Sequence, residues 1–350
     1  MSSTCGFAIV GTGLIADFHA RAVADAGGAR LAAACGRDLG RTQAFAAKHG
    51  CEAYDNLNDM LARPDINVLL IATPSGVHME AAVAAAEAGK HVLCEKPLDI
   101  SVERIDQMIA AHDKAGTRLG CIFQLRYMPV IANIRRILNE GLLGTVTYAG
   151  AYVPWWRSDD YYAKSSWHGT VEFDGGGALM NQSIHMIDLL CDLMPPVRRV
   201  TGFVSNAGHP FIETEDAATA ALLFEGGAVG VIYGSTSAWP GQSKRLEICG
   251  TKGSLIMLED HLSFLKLDES AKDIENEILA ECGPKDQTDA AGVSDPGAMS
   301  YLLHQRCFED FMRSLKNDAP FCIDGHSARK SVAVIEAVYR SARTRSQISL

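Results

Sequence analysis

The chain has 350 residues, a length that predicts roughly two domains of ordinary size. Hydrophobic residues make up 47% and charged residues 21%, which excludes a disordered chain and predicts buried cores. The net charge of −10 argues against a protein that binds duplex nucleic acid, because such a protein needs a basic face to displace counterions. It does not exclude an anionic ligand bound in a locally positive pocket.

The cysteines and the N-terminal residues indicate the compartment. The 10 cysteines are scattered without a C-x-x-C pair, and several lie in apolar runs such as residues 91–94. This pattern is typical of buried free thiols and not of disulfides or a zinc site, so we expect no metal. No apolar stretch reaches the ~18 residues of a membrane span, and the N-terminus lacks the layout of a signal peptide. We therefore expect a cytoplasmic protein with no membrane partner.

The first part of the chain alternates short apolar runs with helical patterns, which predicts a parallel sheet with crossover helices. Strands are predicted at residues 7–10, 30–35, 67–72, 91–94 and 119–123. Helices are predicted at residues 15–26, 40–49 and 77–88, and Ser101 caps another that runs to about Ala115. Residues 1–125 are therefore predicted to form an NAD(P)-binding domain with a doubly wound Rossmann sheet.

A glycine-rich turn follows the first predicted strand and opens a helix. It reads Gly11-Thr12-Gly13-Leu14-Ile15-Ala16 and fits the dinucleotide-binding pattern G-x-G-x-x-A. Gly11 suits a tight turn, and Gly13 lets the backbone approach a pyrophosphate at the positive end of the helix. We expect these residues to bind the cofactor; the alternative is an ordinary glycine turn.

The end of the second predicted strand bears on the choice of cofactor. An acidic residue at this place holds the ribose of NAD, whereas an arginine accommodates the 2′-phosphate of NADP. The chain has Gly36 there, followed by Arg37 and Asp38. This favours NADP over NAD, with Arg37 as a cofactor ligand. In the alternative, Arg37 faces solvent and Asp38 binds the ribose.

Lys96 follows the predicted strand at residues 91–94, within Glu95-Lys96-Pro97. Ligands of doubly wound sheets bind beyond the carboxyl ends of the strands, and the following proline restricts the backbone of Lys96. An ammonium held there can stabilise charge on a substrate oxygen, so Lys96 is predicted to be catalytic and to contact both cofactor and substrate. The alternative is a surface lysine.

The character of the chain changes after about Tyr127. Helices are predicted at residues 130–139, 178–194, 299–316 and 328–342, and strands at 145–153, 197–205, 217–224, 228–235, 244–249 and 254–258. Residues 268–297 are polar without a clear period and are predicted to form an extended or partner-contacting loop. Residues 126–350 are therefore predicted to form a second, α+β domain with a mostly antiparallel sheet.

Asn181, His185 and Asp188 have the spacing i, i+4, i+7, which places them on one face of a helix. His185 suits a general base, because its unperturbed pKa lies near neutrality. Asn181 is predicted to orient the substrate or the cofactor, and Asp188 to support the other two. In the alternative, His185 packs under the sheet as a structural histidine.

These segments together resemble the glucose-fructose oxidoreductase/inositol dehydrogenase/MocA superfamily. The resemblance rests on residues 11–16, on Ala-Thr-Pro at 72–74 followed by His78, and on residues 88–98 and 175–188. It implies a Rossmann domain followed by a mixed α/β domain, residues 126–350, for substrate binding and oligomerisation, with a large open sheet that is often used for oligomer contacts. It further implies hydride transfer between a nicotinamide and a carbohydrate-like alcohol. It also implies that Lys96 is catalytic and that the His185 position commonly is. Many relatives carry aspartate at the position of Asn181, so an aspartate–histidine relay is not predicted here.

Further residues are assigned to the same cleft. Thr73, Pro74, His78, Glu95 and Gln124 are predicted to contact the cofactor. Substrate contacts are predicted for residues after the last Rossmann strand and in the aromatic loop 155–174, namely Arg126, Tyr127, Trp156, Arg157, Trp167 and His168. The alternatives are interdomain structure for Gln124, Arg126 and Tyr127, and packing or a subunit contact for the loop.

Three functions are consistent with these features. The first is an NAD(P)-dependent dehydrogenase or reductase of a sugar, sugar derivative or cyclitol. The second is a glycoside hydrolase that oxidises its substrate transiently with tightly held NAD. The third is a nucleotide-sensing regulator without catalysis, against which Lys96 and His185 argue. A homo-dimer or homo-tetramer is expected in each case.

Overall fold

The computed structural model describes residues 4–284 and 301–350, which divide between two compact units. The first unit contains residues 4–124 and 301–329, and the second contains residues 125–284 and 330–350. Residues 301–329, which the sequence placed in the C-terminal domain, thus pack with the N-terminal residues. Among the described residues, no helix combines the length and apolar character that crossing a membrane requires.

The first unit is built on a parallel sheet of six strands within the described residues. The strands are β1 (Cys5–Val10), β2 (Ala29–Cys35), β3 (Glu52–Tyr54), β4 (Val68–Ile71), β5 (His91–Cys94) and β6 (Leu119–Cys121). Their order is β3-β2-β1-β4-β5-β6, which is the doubly wound arrangement of a dinucleotide-binding domain. The predicted Rossmann fold is therefore confirmed.

The second unit contains a sheet of eight strands within the described residues. They are β7 (Val146–Pro154), β8 (Val197–Ser205), β9 (Ala217–Phe224), β10 (Val229–Ser235), β11 (Arg245–Gly250), β12 (Gly253–Leu258), β13 (His261–Leu267) and β14 (Ile348–Ser349). The order is β13-β12-β11-β7-β10-β9-β8-β14, and β7 and β10 form its parallel pair. This confirms the predicted open, mostly antiparallel sheet.

Apart from four helices that the sequence did not predict, the α-helices of the described residues follow the sequence prediction closely. They are α1 (Leu14–Asp25), α2 (Leu39–His49), α3 (Leu57–Leu61), α4 (His78–Glu87), α5 (Val102–Ala115), α6 (Pro129–Asn139), α7 (Asp159–Ala163), α8 (Val171–Asp174), α9 (Ile184–Leu193), α10 (Lys272–Cys282), α11 (Leu302–Lys316) and α12 (Gly325–Thr344). The prediction of a loop at 268–297 is wrong for residues 272–282, which form α10 and bury a carboxylate, Glu275, together with Ile278 and Cys282. Residues 285–297 of that predicted loop lie outside the described residues, as do 299 and 300. The short helices α7 and α8 lie within the loop predicted at 155–174.

Aromatic contacts explain why residues 301–329 belong to the first unit. Phe308 of α11 stacks on Phe7 of β1 with ring centroids 6.3 Å apart, and both rings are fully buried. After α11, the chain passes next to β6, where the Cys121 N–H donates to the carbonyl oxygen of Ile323 at 2.9 Å. Burial of these two phenylalanine rings contributes about 2 kcal/mol each by transfer from water. The Rossmann sheet is therefore completed by the C-terminal part of the chain.

Candidate active site

The glycine turn after β1 has the geometry that a phosphate needs. Gly11 has a φ of 95°, and a Cβ at this position would lie 2.4 Å from the carbonyl oxygen of Ala72. Gly13 precedes α1 without a side-chain cap, and a Cβ built on it meets no atom within 4 Å. The first amides of α1 thus open onto unfilled space, as expected for an anion site at a helix N-terminus. Thr12 and Ile15 are half-buried beside this turn, and Leu14 is 63% exposed.

The end of β2 explains why a glycine stands where NAD-binding proteins place an acid. A Cβ on Gly36 would lie 2.7 Å from the Thr42 hydroxyl, so a side chain does not fit without displacement. The Asp38 carboxylate accepts the backbone N–H of Arg41 at 3.0 Å and caps α2. Arg37 is exposed and makes no hydrogen bond or ion pair with the residues that the structure describes. The guanidinium of Arg37 is thus accessible to a ligand at this strand end.

Two polar atoms at the carboxyl edge of the first sheet are buried without a hydrogen-bond partner among the described residues. They are the Thr73 hydroxyl, just after β4, and the Gln124 side-chain oxygen, just after β6. Buried polar atoms are rarely left unsatisfied, so these positions indicate a polar ligand. Together with the glycine turn, they fit a dinucleotide that runs from α1 to the far strands of this edge. Pro74 follows Thr73 and precedes a 3-10 turn at Ser75–Val77.

His78 was predicted to contact the cofactor, but its ring is engaged inside the protein. It is 1% exposed, with Nδ1 3.0 Å from the carbonyl oxygen of Pro97 and Nε2 3.0 Å from that of Thr73. The ring therefore joins the loop after β4 to the segment after β5. This gives His78 a supporting position behind the two segments.

Lys96 is half-buried and lies directly after β5, at the same edge of the sheet as Thr73. Its backbone N–H donates to Oε2 of Glu95 at 3.0 Å. Glu95 is 7% exposed and its other oxygen pairs with His19 at 2.7 Å, in contrast to its predicted contact with the cofactor. Glu95 thus turns inward while Lys96 holds the place predicted for a catalytic cation.

Arg126 was predicted to contact the substrate, but its charge is neutralised within the second unit. The guanidinium donates to both oxygens of Asp188 at 2.7 and 2.6 Å and to Asp192 at 2.8 Å. Burial raises the pKa of Asp188 to about 6, although Arg126 acts in the opposite direction. Asp188 is therefore a partner of Arg126, and the pair secures α9. Tyr127 is half-buried beside Arg126 in the chain.

The helix predicted at 178–194 has two parts with different hydrogen bonding. Residues Ala178–Ser183 form a π-helical turn, and α9 follows. Glu215 accepts the backbone N–H groups of Gly177 and Leu179 at 3.0 and 2.8 Å, which fixes the start of this turn. The spacing behind the predicted common face is thus α-helical for His185 and Asp188, which lie in α9, whereas Asn181 lies in the π turn. Such turns are frequent at functional sites.

Asn181 belongs to a polar pair that the sequence did not predict. Its side-chain amide donates to Oδ1 of Asp174 at 2.6 Å, and Asp174 is 1% exposed. His185 is half-buried at the second position of α9. The buried carboxylate of Asp174 thus lies beside the side-chain amide of Asn181, four residues before His185.

Arg157 is the centre of a second polar group in this unit. It is 4% exposed and donates to the side-chain oxygen of Gln182 at 2.8 Å, while its guanidinium lies 5.0 Å from the Trp155 ring. Gln182 in turn donates to the Tyr161 hydroxyl at 2.9 Å. Burial lowers the pKa of Arg157, so a cation held here is desolvated. Such a group can bind the polar edge of a substrate.

The remaining predicted substrate residues are aromatic neighbours of this group. His168 stacks on Tyr161 with centroids 4.5 Å apart and an interplanar angle of 8°. The rings of Trp167 and His168 have centroids 4.1 Å apart. The backbone of Trp156 forms an isolated antiparallel β-bridge with Ser237, just after β10. Stacked rings with polar tips present the kind of surface that binds sugars.

Sequence reasoning missed several buried polar residues of both units, namely His19, His304, Asp174 and Gln182. A signal was present for His19, because it lies on the apolar stripe of α1, three residues after Ala16. Asp174 directly precedes three glycines, and an acid before such a flexible segment is a candidate for binding backbone or ligand. Nothing in the sequence linked His304 to Glu95, since the pair is 209 residues apart along the chain.

Comparisons with known proteins agree with this geometry. The oxidoreductase family with an NAD-binding Rossmann fold, GFO_IDH_MocA, matches residues 5–123, and the GFO/IDH/MocA C-terminal domain matches residues 131–256. An uncharacterized oxidoreductase of Bacillus subtilis is 32% identical over 70% of this chain and 71% of its own length. Inositol 2-dehydrogenase of Rhizobium meliloti is 24% identical and covers 99% of both chains.

A solved structure extends the agreement to the whole fold. The WlbA dehydrogenase of Bordetella pertussis, in complex with NADH and UDP-GlcNAcA, has a TM-score of 0.87 and 30% identity to this chain. The match covers 99% of this chain and 98% of the other. The chain therefore belongs to the GFO/IDH/MocA family and is an NAD(P)-dependent oxidoreductase.

Proposed function

We propose that this protein transfers hydride between a nicotinamide and a secondary alcohol of a sugar, sugar derivative or cyclitol. The observation that carries the proposal is the edge of the first sheet, where Lys96 and the unsatisfied atoms of Thr73 and Gln124 follow β5, β4 and β6. When bound, the nicotinamide accepts or donates the hydride. The inositol dehydrogenase and UDP-sugar-bound relatives support a polyhydroxylated substrate.

The chain's own residues supply binding and proton transfer. We assign Lys96 to the substrate oxygen, where its ammonium stabilises charge that develops as the alcohol becomes a carbonyl. We assign His185 as the base that takes the hydroxyl proton, since a neutral imidazole accepts a proton near neutral pH. The group around Arg157, Gln182 and Tyr161 binds the polar edge of the substrate through its hydrogen bonds.

NADP is the favoured cofactor in this proposal. Arg37 is exposed at the end of β2, next to a glycine, and Asp38 already caps α2. An accessible guanidinium suits a 2′-phosphate, whereas a carboxylate that accepts a backbone N–H is less available to a ribose hydroxyl. The relative that was solved with NADH supports a nicotinamide dinucleotide as the cofactor.

We further propose that the protein is a homo-dimer or homo-tetramer of a reducing compartment, the cytoplasm. The strand register places Phe203, Val229 and Phe264 on one face of the eight-stranded sheet, where they are 73%, 53% and 46% exposed. An apolar face of this kind suits a subunit contact. All ten cysteines are free thiols, which supports a reducing setting. Light scattering with Phe203→Asp as the disrupting variant tests the assembly.

A substrate panel tests the function directly. Sugars, sugar acids, inositols and nucleotide sugars are assayed with NAD and NADP, and reduced nicotinamide is followed by absorbance. Net change in reduced cofactor with a stoichiometric ketone product supports a dehydrogenase. Glycoside cleavage without net change points to hydrolysis through transient oxidation, and binding without turnover points to a sensor. Lys96→Met should retain cofactor affinity and lose at least 100-fold in turnover, while Lys114→Met, on the exposed end of α5, serves as the control.

A further inference from the structure

A buried carboxylate lies directly before Lys96 and is flanked by two histidines. Oε1 of Glu95 is 2.7 Å from Nε2 of His19, on α1, and 3.9 Å from Nε2 of His304, on α11. The two rings are 0% and 2% exposed, and all three residues belong to the first unit. Neither Nδ1 atom makes a hydrogen bond to the described residues. Each ring therefore faces Glu95 with its other nitrogen, Nε2.

The second oxygen of the carboxylate connects this cluster to the proposed catalytic residue. Oε2 of Glu95 accepts the backbone N–H of Lys96 at 3.0 Å. The carboxylate is therefore held by His19 on one oxygen while it holds the peptide of Lys96 with the other. A rotation of the Glu95 side chain would break both contacts together.

The charges around Glu95 favour its ionised form. Burial by itself raises the pKa of Glu95, but the hydrogen bond from His19 and the charges of His19, His304 and Lys96 outweigh it and lower the pKa to about 2. Burial also lowers the pKa of His304 to about 4, so this ring is neutral near pH 7. The attraction between Glu95 and Lys96 acts equally on both groups, so the carboxylate stabilises the ammonium of Lys96. Among the described residues, the buried thiols of Cys94 and Cys121 and the ring of His78 also lie against this segment, with His78 Nδ1 3.0 Å from the carbonyl oxygen of Pro97.

The spacing fits a shared proton better than a metal ion. The three side chains bring ligand-type atoms within 4.8 Å of one another, and no other group among the described residues does so. However, two ligands of a tetrahedral zinc ion, each at about 2.0–2.1 Å, lie about 3.3 Å apart. The 2.7 Å between His19 and Glu95 is shorter and has the length of a charge-assisted hydrogen bond.

We propose that Glu95 is a positioning residue for Lys96, held in place by His19 and enclosed by His304. Its carboxylate fixes the peptide of Lys96 through the backbone N–H and interacts electrostatically with the ammonium of the same residue. This inference rests on the proposed function, in which Lys96 is the catalytic cation. His19 and His304 lie too deep to exchange protons with a substrate, so they hold the carboxylate and take no part in the reaction.

The titration of Lys96 measures this role without any substrate. Lysines are reductively methylated with ¹³C-formaldehyde, the Lys96 signal is identified by its loss in Lys96→Met, and its chemical shift is followed against pH. In Glu95→Gln the titration midpoint should fall by about one pH unit, because the neighbouring charge is removed. His19→Leu should move it in the same direction. His19→Gln should restore the midpoint, since its amide nitrogen can replace Nε2 as a donor.

The control is another buried histidine of the same unit. His112 is 2% exposed and hydrogen-bonds to Thr117, apart from Glu95, so His112→Leu should lower stability without moving the Lys96 midpoint. The inference is overturned by an unchanged midpoint in Glu95→Gln, or by His112→Leu shifting it as much as His19→Leu does. It is also overturned if chelation with EDTA shifts the midpoint and Zn²⁺ restores it.

Kinetics separate this inference from the proposed function. On an active substrate, Glu95→Gln should lower kcat about tenfold with little change in KM for the cofactor, and the alkaline limb of the pH profile should move to lower pH. If Lys96→Met turns over normally, the proposed function fails. If Lys96→Met is inactive while Glu95→Gln and His19→Leu keep the original pH profile, only the positioning role fails.

Discussion

The half-buried Asn181 and the buried Asp174 form an amide–carboxylate pair in the second unit, with 2.6 Å between the amide nitrogen and Oδ1. The other carboxylate oxygen accepts the backbone N–H of Gly169 at 2.9 Å. Because the amide nitrogen is directed at Asp174, the amide oxygen of Asn181 points away from this carboxylate. The pair therefore carries one negative charge, located on Asp174 and not on the segment that leads to His185.

Asn181→Asp should destabilise the protein near neutral pH and much less in acid. Two carboxylates at this separation in a buried place cannot both ionise, so one must bind a proton. We expect a loss of roughly 2 kcal/mol at pH 7.5, or a fall in Tm of about 5 °C, which shrinks at pH 5. Thermal unfolding across this range measures the effect.

The exchanged pair is the control for that prediction. Asp174→Asn combined with Asn181→Asp restores one charge and one amide, so the Tm at pH 7.5 should recover most of the loss. Turnover should remain altered, because the charge now lies on the segment before His185. Equal losses in the single and double variants would show that the hydrogen-bonded pair is not the cause.

Much of the fold could be predicted from the sequence, and the failures have identifiable causes. Strands such as β5 and β8 were placed correctly because continuous or alternating apolar residues mark them. The π turn at Ala178–Ser183 could not be predicted, since it depends on Glu215, more than thirty residues later. Helix α10 was missed because one of its three buried positions is a glutamate, Glu275.

The site showed the same division between local and distant causes. The glycine turn and Lys96 were recognisable because each lies next to a strand end in the sequence. Arg126 was predicted to face a ligand because its partners, Asp188 and Asp192, are more than sixty residues away. A buried charge is assigned correctly only when its counter-charge is known, and single-sequence patterns do not contain that information.

The two glycines of the phosphate turn should respond differently to alanine. Gly11→Ala should lower the Tm strongly, because the residue has a φ of 95° and its Cβ would clash with the carbonyl of Ala72. Gly13→Ala should leave the Tm almost unchanged, since its Cβ meets no protein atom within 4 Å. It should instead weaken cofactor binding about tenfold, or about 1.4 kcal/mol. Thermal unfolding and calorimetric titration with NADP distinguish the two variants, and unchanged affinity in Gly13→Ala would remove the turn from the cofactor site.

Arg37→Ala should weaken NADP more than NAD. The exposed guanidinium at the end of β2 is proposed to pair with the 2′-phosphate, so its loss should cost NADP about tenfold in affinity. NAD should change less than twofold. Lys114→Ala removes the same charge from the end of α5 and should affect neither cofactor. Equal weakening of both cofactors in Arg37→Ala would reverse the proposed preference.

The stability of the protein should fall as the pH is lowered from 6.5 toward 4. Burial lowers the pKa of His112 and of His304 from 6.5 to about 4, so both rings are neutral in the folded protein. The unfolded chain binds these protons more readily, with pKa values near 6.5. The stabilisation is therefore complete above pH 6.5 and is lost as the pH falls toward 4, by about 2 kcal/mol per histidine at pH 5.

Chemical denaturation at pH 7.5 and pH 5 with a pair of histidine variants measures this dependence. His112→Asn should lose stability at pH 7.5, because the ring is buried, and should show a smaller fall between the two pH values. His326→Asn replaces an exposed histidine near the same end of the first sheet and should keep the wild-type pH dependence. If His112→Asn and the wild type lose the same free energy of unfolding on acidification, then protonation of His112 does not drive the change. In that case His304, the other buried histidine with a lowered pKa, becomes the dominant source, because the stabilisation from carboxylates with lowered pKa such as Glu95 is lost only below about pH 4.5.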